Sequence, residues 1–275
     1  MKYTLSPLLF SLTIFAFGQE IPQPDWDELQ KTKPWEQTEL HKEIPIVTPG
    51  ELNKPPSDAV ILYNGSSLSN WQRPQFDFPV SMDGFKVMIP QMKSSYKNPP
   101  VLWRSSDNVM TVAPGAGAIA TKKAFGDIQL HVEWFAPVAK GKSGQGYSNS
   151  GIFLMGLYEV QILNSYENPT YANGQAASIY KQHIPLVNAS LAAGHWQEYD
   201  IIFMSPRFSE KGSLIRPAKI TVLHNGILVQ NGVELLGPTC YIGTPYYVAH
   251  PEKLPLILQD HGDPMQFRNI WVREL

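Results

Sequence analysis

Apolar and polar residues alternate with a period of two along much of this chain, which leaves few architectures open to it. In Asp127 to Phe135, Ile128, Leu130, Val132 and Trp134 fall on one side, and Gln129, His131 and Glu133 on the other. Tyr158 to Leu163 repeats the pattern, with Tyr158, Val160 and Ile162 opposing Glu159 and Gln161. Successive side chains of a strand point to opposite faces, so this period predicts strands half-buried in antiparallel sheets. Further strands are expected at Ala59 to Tyr63, Tyr199 to Met204, Leu254 to Leu258 and Phe267 to Val272. Ile220 to His224, then Asn225-Gly226, then Ile227 to Val229 predicts a hairpin, because Asn-Gly accepts the positive φ angles of a type I′ turn. No segment after residue 18 carries a convincing 3.6-residue period. The natural result is an all-β chain of two packed antiparallel sheets.

The N-terminus stands apart. Lys2, an apolar run from Leu5 to Phe17, and small residues at Ala16 and Gly18 have the layout of a secretory signal peptide cut before Gln19. The run is short for a membrane span, so the expectation is an exported chain, periplasmic or extracellular, with no span in its mature form. Residues 19–57 hold Pro22, Pro24, Pro34, Pro45, Pro49, Pro55 and Pro56 and read as an extended arm, leaving 58–275 as one domain. Within it, Gln72 to Pro100 and Lys140 to Ser148 read as loops inserted on the β scaffold. A net charge of −2 offers nothing to nucleic acid or anionic lipid. Cys240 is the only cysteine, which excludes an intrachain disulfide and suggests a small core residue.

Two loci carry candidate chemistry. Glu159 and Gln161 project from the same strand face, as His131 and Glu133 do on another strand. Such a row is either the solvated side of a sheet or the wall of a pocket. The apolar and aromatic sequence on both sides of Glu159 favours the wall. The second locus is Leu258-Gln259-Asp260-His261-Gly262-Asp263-Pro264, where a strand runs into amide, carboxylate and imidazole. Asp260 beside His261 is able to poise an acid–base histidine, or else to cap a turn through backbone amides. The scattered histidines His183, His195, His224 and His250 match no zinc spacing, and calcium through loop oxygens is equally open. Gly141-Lys142-Ser143 lacks the glycine spacing and following helix of a phosphate loop. No nucleophile-elbow sequence supports a Ser-His-Asp hydrolase.

Several ordered motifs resemble one family. Leu62-Tyr63-Asn64-Gly65 through Trp71 resembles its opening motif, and Asn149-Ser150-Gly151-Ile152-Phe153-Leu154 with Tyr158-Glu159-Val160-Gln161-Ile162-Leu163 is similar to its most distinctive strand pair. Val187-Asn188-Ala189-Ser190, Trp196-Gln197-Glu198-Tyr199, Val222 to Gly226, and Leu258 to Gly262 through Phe267-Arg268-Asn269-Ile270 follow in the same order. The family is the 3-keto-disaccharide hydrolase domain, and the resemblance runs from about Ala59 to the C-terminus. It implies a concanavalin-like jelly-roll sandwich, a concave sheet as the site, and cleavage of glycosides already oxidised to a ketone at C3. The 72–100 insertion departs from the shortest members.

A C3 ketone acidifies the C2 hydrogen, so a base, an enolate stabiliser and a donor to the leaving group suffice for elimination, and water then adds back. Glu159 and His261 are the candidates for base and acid, in either order. Gln161, Asn149, Tyr180, Glu133, Asp260 and Gln259 are the candidate substrate contacts, with Trp103, Trp134 or Trp196 as sugar platforms. The expected partner is an oxidised mono- or disaccharide or glycoside. No cofactor is required by this scheme, although a divalent metal, calcium or a transition metal, would serve as an enolate stabiliser. The rival reading is a lectin-like module that only holds glycans, since jelly-roll sandwiches host both. Glu159 and His261 meeting in one pocket would favour the enzyme, and a shallow aromatic groove the lectin.

Overall fold

The structure, a computed structural model, describes residues 44–51, 54–74, 76–82, 85–90 and 100–275, together with Asp25 and Asp27. The expected signal peptide at 1–18 and most of the 19–57 arm lie outside the described residues. The chain divides into two units, Met1–Ile46 and Val47–Leu275. The second holds every described strand.

The strands, numbered in chain order, form two principal antiparallel sheets. The eight-stranded sheet contains β1 (Val60–Tyr63), β5 (Arg104–Ser106), β6 (Val109–Thr111), β8 (Ile128–Phe135), β11 (Trp196–Met204), β14 (Lys219–His224), β15 (Ile227–Glu234) and β17 (Gln266–Glu274). Its order is β15-β14-β11-β8-β17-β6-β5, with β1 also paired to β17. The five-stranded sheet joins β2 (Trp71–Gln72), β7 (Ile119–Phe125), β9 (Asn149–Leu154), β10 (Tyr158–Leu163) and β16 (Leu254–Leu258) in the order β10-β9-β16-β7-β2. Between residues 44 and 275 the only described helical segments are short 3-10 turns at Gly144–Gly146 and Ala172–Gly174. The expected all-β sandwich of the concanavalin-like jelly-roll type is what forms.

The period-two pattern explains the layering. Ile128, Leu130, Val132 and Trp134 of β8 are all buried, as are Tyr158, Val160 and Ile162 of β10. These faces meet across the sandwich: Tyr158 packs on Phe203 at 5.6 Å between ring centroids, and the Tyr199 hydroxyl donates to the Gln161 carbonyl at 2.8 Å. Fully burying each large aliphatic side chain contributes about 1.5–3 kcal/mol, so the facing apolar rows fix which side of each strand turns inward. Asn225 and Gly226 have φ of 52° and 75°, the type I′ geometry expected of the β14–β15 hairpin.

Two expectations change. Gln72 to Pro100 is not wholly irregular, since β3 (Phe76–Met82) and β4 (Phe85–Pro90) form a separate two-stranded hairpin. Its register shifts between Asp77 and Val80, across Pro79, which has no amide hydrogen to give to a ladder. Cys240 is half-buried rather than a core residue, and its Sγ donates to the Ile242 carbonyl at 2.7 Å. A last small sheet pairs β12 (Arg207–Phe208) with β13 (Leu214–Arg216).

Candidate active site

The β9–β10 hairpin builds the floor of the site. Register pairs Glu159 with Phe153 and Gln161 with Gly151, so these residues share the face turned away from the eight-stranded sheet. That face is covered. Strand β10 is the edge of its sheet, and the segment after the Ala172–Gly174 turn pairs along it. Gln161 N donates to the Ser178 carbonyl at 3.0 Å, Ala177 N to the Gln161 carbonyl at 2.9 Å, and Tyr180 N to the Glu159 carbonyl at 3.2 Å. Pairing satisfies the exposed edge and lowers a wall over the polar row. Glu159 and Gln161 are consequently 4% and 1% exposed, so their face is a pocket wall rather than a solvated side.

The cavity measures about 680 Å³ and brings together Asn149, Glu159, Gln161, Tyr180, Gln259 and His261 from the sequence-derived set. Gln145, Phe153, Tyr171, Thr239 and Tyr241 also line it. One wall is an amide network. Gln161 Nε2 donates to Gln145 Oε1 at 3.2 Å and to Asn149 Oδ1 at 3.3 Å, while Asn149 Nδ2 donates to the Gln145 carbonyl at 2.8 Å. The backbone N–H of Asn149 donates to Asp263 at 3.0 Å, and Lys142 is ion-paired to the same carboxylate. The Lys140 to Ser148 segment, read from composition as a surface loop, is thus tied down and supplies Gln145 to the wall.

Glu159 is the electrostatic centre. Its backbone N–H donates to Thr239 Oγ1 at 2.8 Å, but its carboxylate accepts no hydrogen bond among the described residues. Burial penalises the charged form and pushes its pKa from 4.5 up to about 8. Gly151 makes room for it, because a Cβ there would lie 2.4 Å from Glu159 Oε1. Nearby, Gln259 N donates to the Gly151 carbonyl at 3.0 Å, and Gln259 Oε1 is buried without a partner among the described residues. Buried acceptors left unmet are costly, so this oxygen is ready for a ligand hydroxyl. His261 is exposed and lines the cavity, next to Gly262 at φ 87°.

On the opposite wall the Tyr171 and Tyr180 hydroxyls lie 2.6 Å apart, and Lys181 Nζ sits 3.7 Å from the Tyr171 ring centroid. Burial first, then the Tyr171 hydroxyl and the charge of Glu159, push the Tyr180 phenol up and keep it neutral.

Other candidates lie elsewhere. Asp260 accepts the backbone N–H groups of Gly262 and Gly117, both at 2.9 Å, which makes it a turn cap rather than part of the cavity lining. Glu133 sits on the outer face of the eight-stranded sheet, held by Arg268 Nε at 2.5 Å and Asn269 Nδ2 at 2.8 Å. Burial alone would raise its pKa, but His131, Asn269 and Arg268 outweigh this and hold it at about 2. Trp103 and Trp134 are core residues, and Trp196 packs under the Arg268 guanidinium at 4.0 Å. Three tyrosines and Phe153, not tryptophans, form the aromatic part of the cavity. Tyr171 and Tyr241 belong to no alternating strand, so no periodic signal marked them. Among the described residues, no three His, Cys, Asp or Glu side chains converge where they could hold a metal ion. No described helix is long and apolar enough to cross a membrane.

Residues 58–273 match the model of the 3-keto-alpha-glucoside-1,2-lyase-like domain. The crystal structure of a "putative glycosyl hydrolase" from Parabacteroides distasonis ATCC 8503 is 42% identical, with a TM-score of 0.74 over 87% of this chain and 96% of that one. A second structure of that description from the same organism is 17% identical, with a TM-score of 0.50 over 79% of this chain and 94% of that one, a likeness of fold alone. No curated protein matches the chain.

Proposed function

The chain belongs to the 3-keto-alpha-glucoside-1,2-lyase-like domain family, and from that premise we propose that it cleaves the glycosidic bond of sugars carrying a ketone at C3. One observation carries the reading: a carboxyl group buried in a polar cavity, accepting no hydrogen bond among the described residues and with its pKa raised to about 8. A group so placed gains nothing structurally and becomes a stronger base.

In the proposed sequence the ionised Glu159 removes the C2 proton, and the electron pair of the C–H bond forms an enolate on the C3 oxygen. Tyr180 and the Gln161–Asn149 amides stabilise that oxygen and hold the hydroxyls. The enolate collapses to a C1=C2 double bond as the C1–oxygen bond breaks, and His261 gives the departing oxygen its proton. Water then adds at C1, its proton going to His261, while Glu159 returns the proton to C2. The net result is hydrolysis with both groups restored. No second carboxylate is needed at the paired spacing of ordinary glycosidases. The apolar run behind Lys2 supports an exported enzyme.

The lectin-like alternative would need a shallow aromatic groove, whereas the buried Glu159 and the exposed His261 line one cavity of about 680 Å³. The test incubates the protein in D₂O with methyl 3-keto-α-D-glucopyranoside and with methyl α-D-glucopyranoside, followed by proton NMR. Cleavage of the ketone alone, with deuterium entering C2, is expected. Cleavage of the plain glucoside alone would refute the elimination scheme.

A further inference from the structure

Resting on the 3-keto-glycoside reading, we propose that Tyr171 is a positioning residue, which holds the Tyr180 hydroxyl as one half of a phenol pair aimed at the ketone oxygen of the substrate.

The two rings reach the cavity from one tightly built segment. Tyr171 precedes the Ala172–Gly174 turn, and its ring lies against Gly174, where a Cβ would fall 2.0 Å from the ring edge. Only glycine permits that approach. Lys181 N donates to the Asn173 carbonyl at 2.8 Å, and its ammonium rests on the Tyr171 ring. Tyr180 is fixed from the other side. Its backbone is bonded to Glu159, and the preceding Ile179 bridges to Val160. Two separately anchored rings, 6.3 Å apart at 60°, therefore meet hydroxyl to hydroxyl.

A phenol has one hydrogen to donate and lone pairs to accept with. When an oxygen gathering negative charge arrives, Tyr180 must point its hydrogen at that oxygen. It then accepts from Tyr171, and the two bonds polarise each other. Tyr171 is 37% exposed at the rim and supplies that second bond without entering the reaction. The Lys181 cation over its ring favours negative charge spreading along the pair. Glu159 receives the proton while the pair receives the charge, so base and stabiliser come from two elements joined by the Tyr180–Glu159 backbone bond.

The test uses Tyr171→Phe, Tyr180→Phe and the double variant in the full chain, assayed on methyl 3-keto-α-D-glucopyranoside. Tyr171→Phe keeps the ring and its packing, so its fold is retained. Tyr180→Phe should lower kcat roughly 100-fold, the scale of one lost oxyanion donor. Tyr171→Phe should lower kcat about 10-fold with KM within about twofold, and the double variant should be no worse than Tyr180→Phe alone, because the pair acts as a unit. In protein labelled with ¹³C at tyrosine Cζ, the Tyr180 resonance should move when Tyr171 loses its hydroxyl. With an active wild type, an unchanged kcat in Tyr171→Phe, losses that multiply, or an unmoved Tyr180 resonance would overturn the proposal. An inactive wild type would instead overturn the 3-keto-glycoside reading and the role at the ketone with it, while the resonance still decides whether the phenols are paired.

Discussion

Glu159→Gln should make the protein more stable at alkaline pH and inactive at every pH. In the folded chain the carboxyl group titrates at about 8, and in the unfolded chain at its ordinary 4.5. A folded pKa raised above the unfolded one means that folding favours the protonated form. The penalty is absent below pH 4.5, grows as pH rises, and is complete above about 8. Each unit of difference corresponds to about 1.4 kcal/mol, so the full penalty is roughly 5 kcal/mol and the share present at pH 7 is roughly 3 kcal/mol. Glutamine has nearly the same shape and no charge. The variant should therefore match the wild type near pH 4.5 and exceed it by several kcal/mol at pH 9. Urea unfolding of both proteins at pH 5, 7 and 9 measures the difference, and other titrating groups cancel in the comparison. A wild-type-minus-variant difference that stays flat across this range would refute the account of Glu159 as a carboxyl whose burial raises its pKa.

Kinetics test the same residue from the other side: if Glu159 acts as the base, kcat/KM for the 3-keto-glucoside should climb with pH towards about 8, and a fall above 8 would assign it the acid role instead. Gly151→Ala should displace the Glu159 carboxylate, given the 2.4 Å approach, and lower kcat/KM by about 10- to 100-fold, which wild-type activity in that variant would contradict. Glu133→Gln, on the other sheet, should leave turnover within about threefold while costing roughly 2–3 kcal/mol of stability through the unpaired Arg268 and His131. A collapse of turnover without loss of stability would return Glu133 to the site. His131 offers a separate check, since burial lowers its pKa but Asp200 and Glu133 outweigh this and raise it to about 9. Its pairing stabilises the fold below pH 6.5 and is lost as pH rises through about 9, so Asp200→Asn should bring the NMR-measured pKa down, and an unmoved value would remove Asp200 as the cause.

The strands were legible because their signal is local. Tyr158 to Leu163 and Leu254 to Leu258 have in the structure the bounds expected from sequence, the first because it alternates and the second because it is a short apolar run. Strand β7 carries neither signal, because Thr121-Lys122-Lys123 interrupts its apolar residues without alternating with them. The β3–β4 hairpin was hidden by its prolines.

The site divides along the same line. Sequence alone determined that Glu159 and Gln161 share a face, that His131 and Glu133 share another, and that a turn follows Leu258. The apolar flanks of Glu159 favoured a wall there, but alternation itself is the same whether the polar side meets water, an ion pair or a cavity. Only the tertiary structure decided this. Arg268 and Asn269, about as far from Glu133 in sequence as half the chain, hydrogen-bond that carboxylate, whereas Ala177 to Tyr180 close over Glu159 and bring a donor to its backbone carbonyl but none to its carboxylate. Desolvation and hydrogen-bond satisfaction are properties of what packs above a strand, and the residues that pack there come from loops whose placement no periodicity encodes.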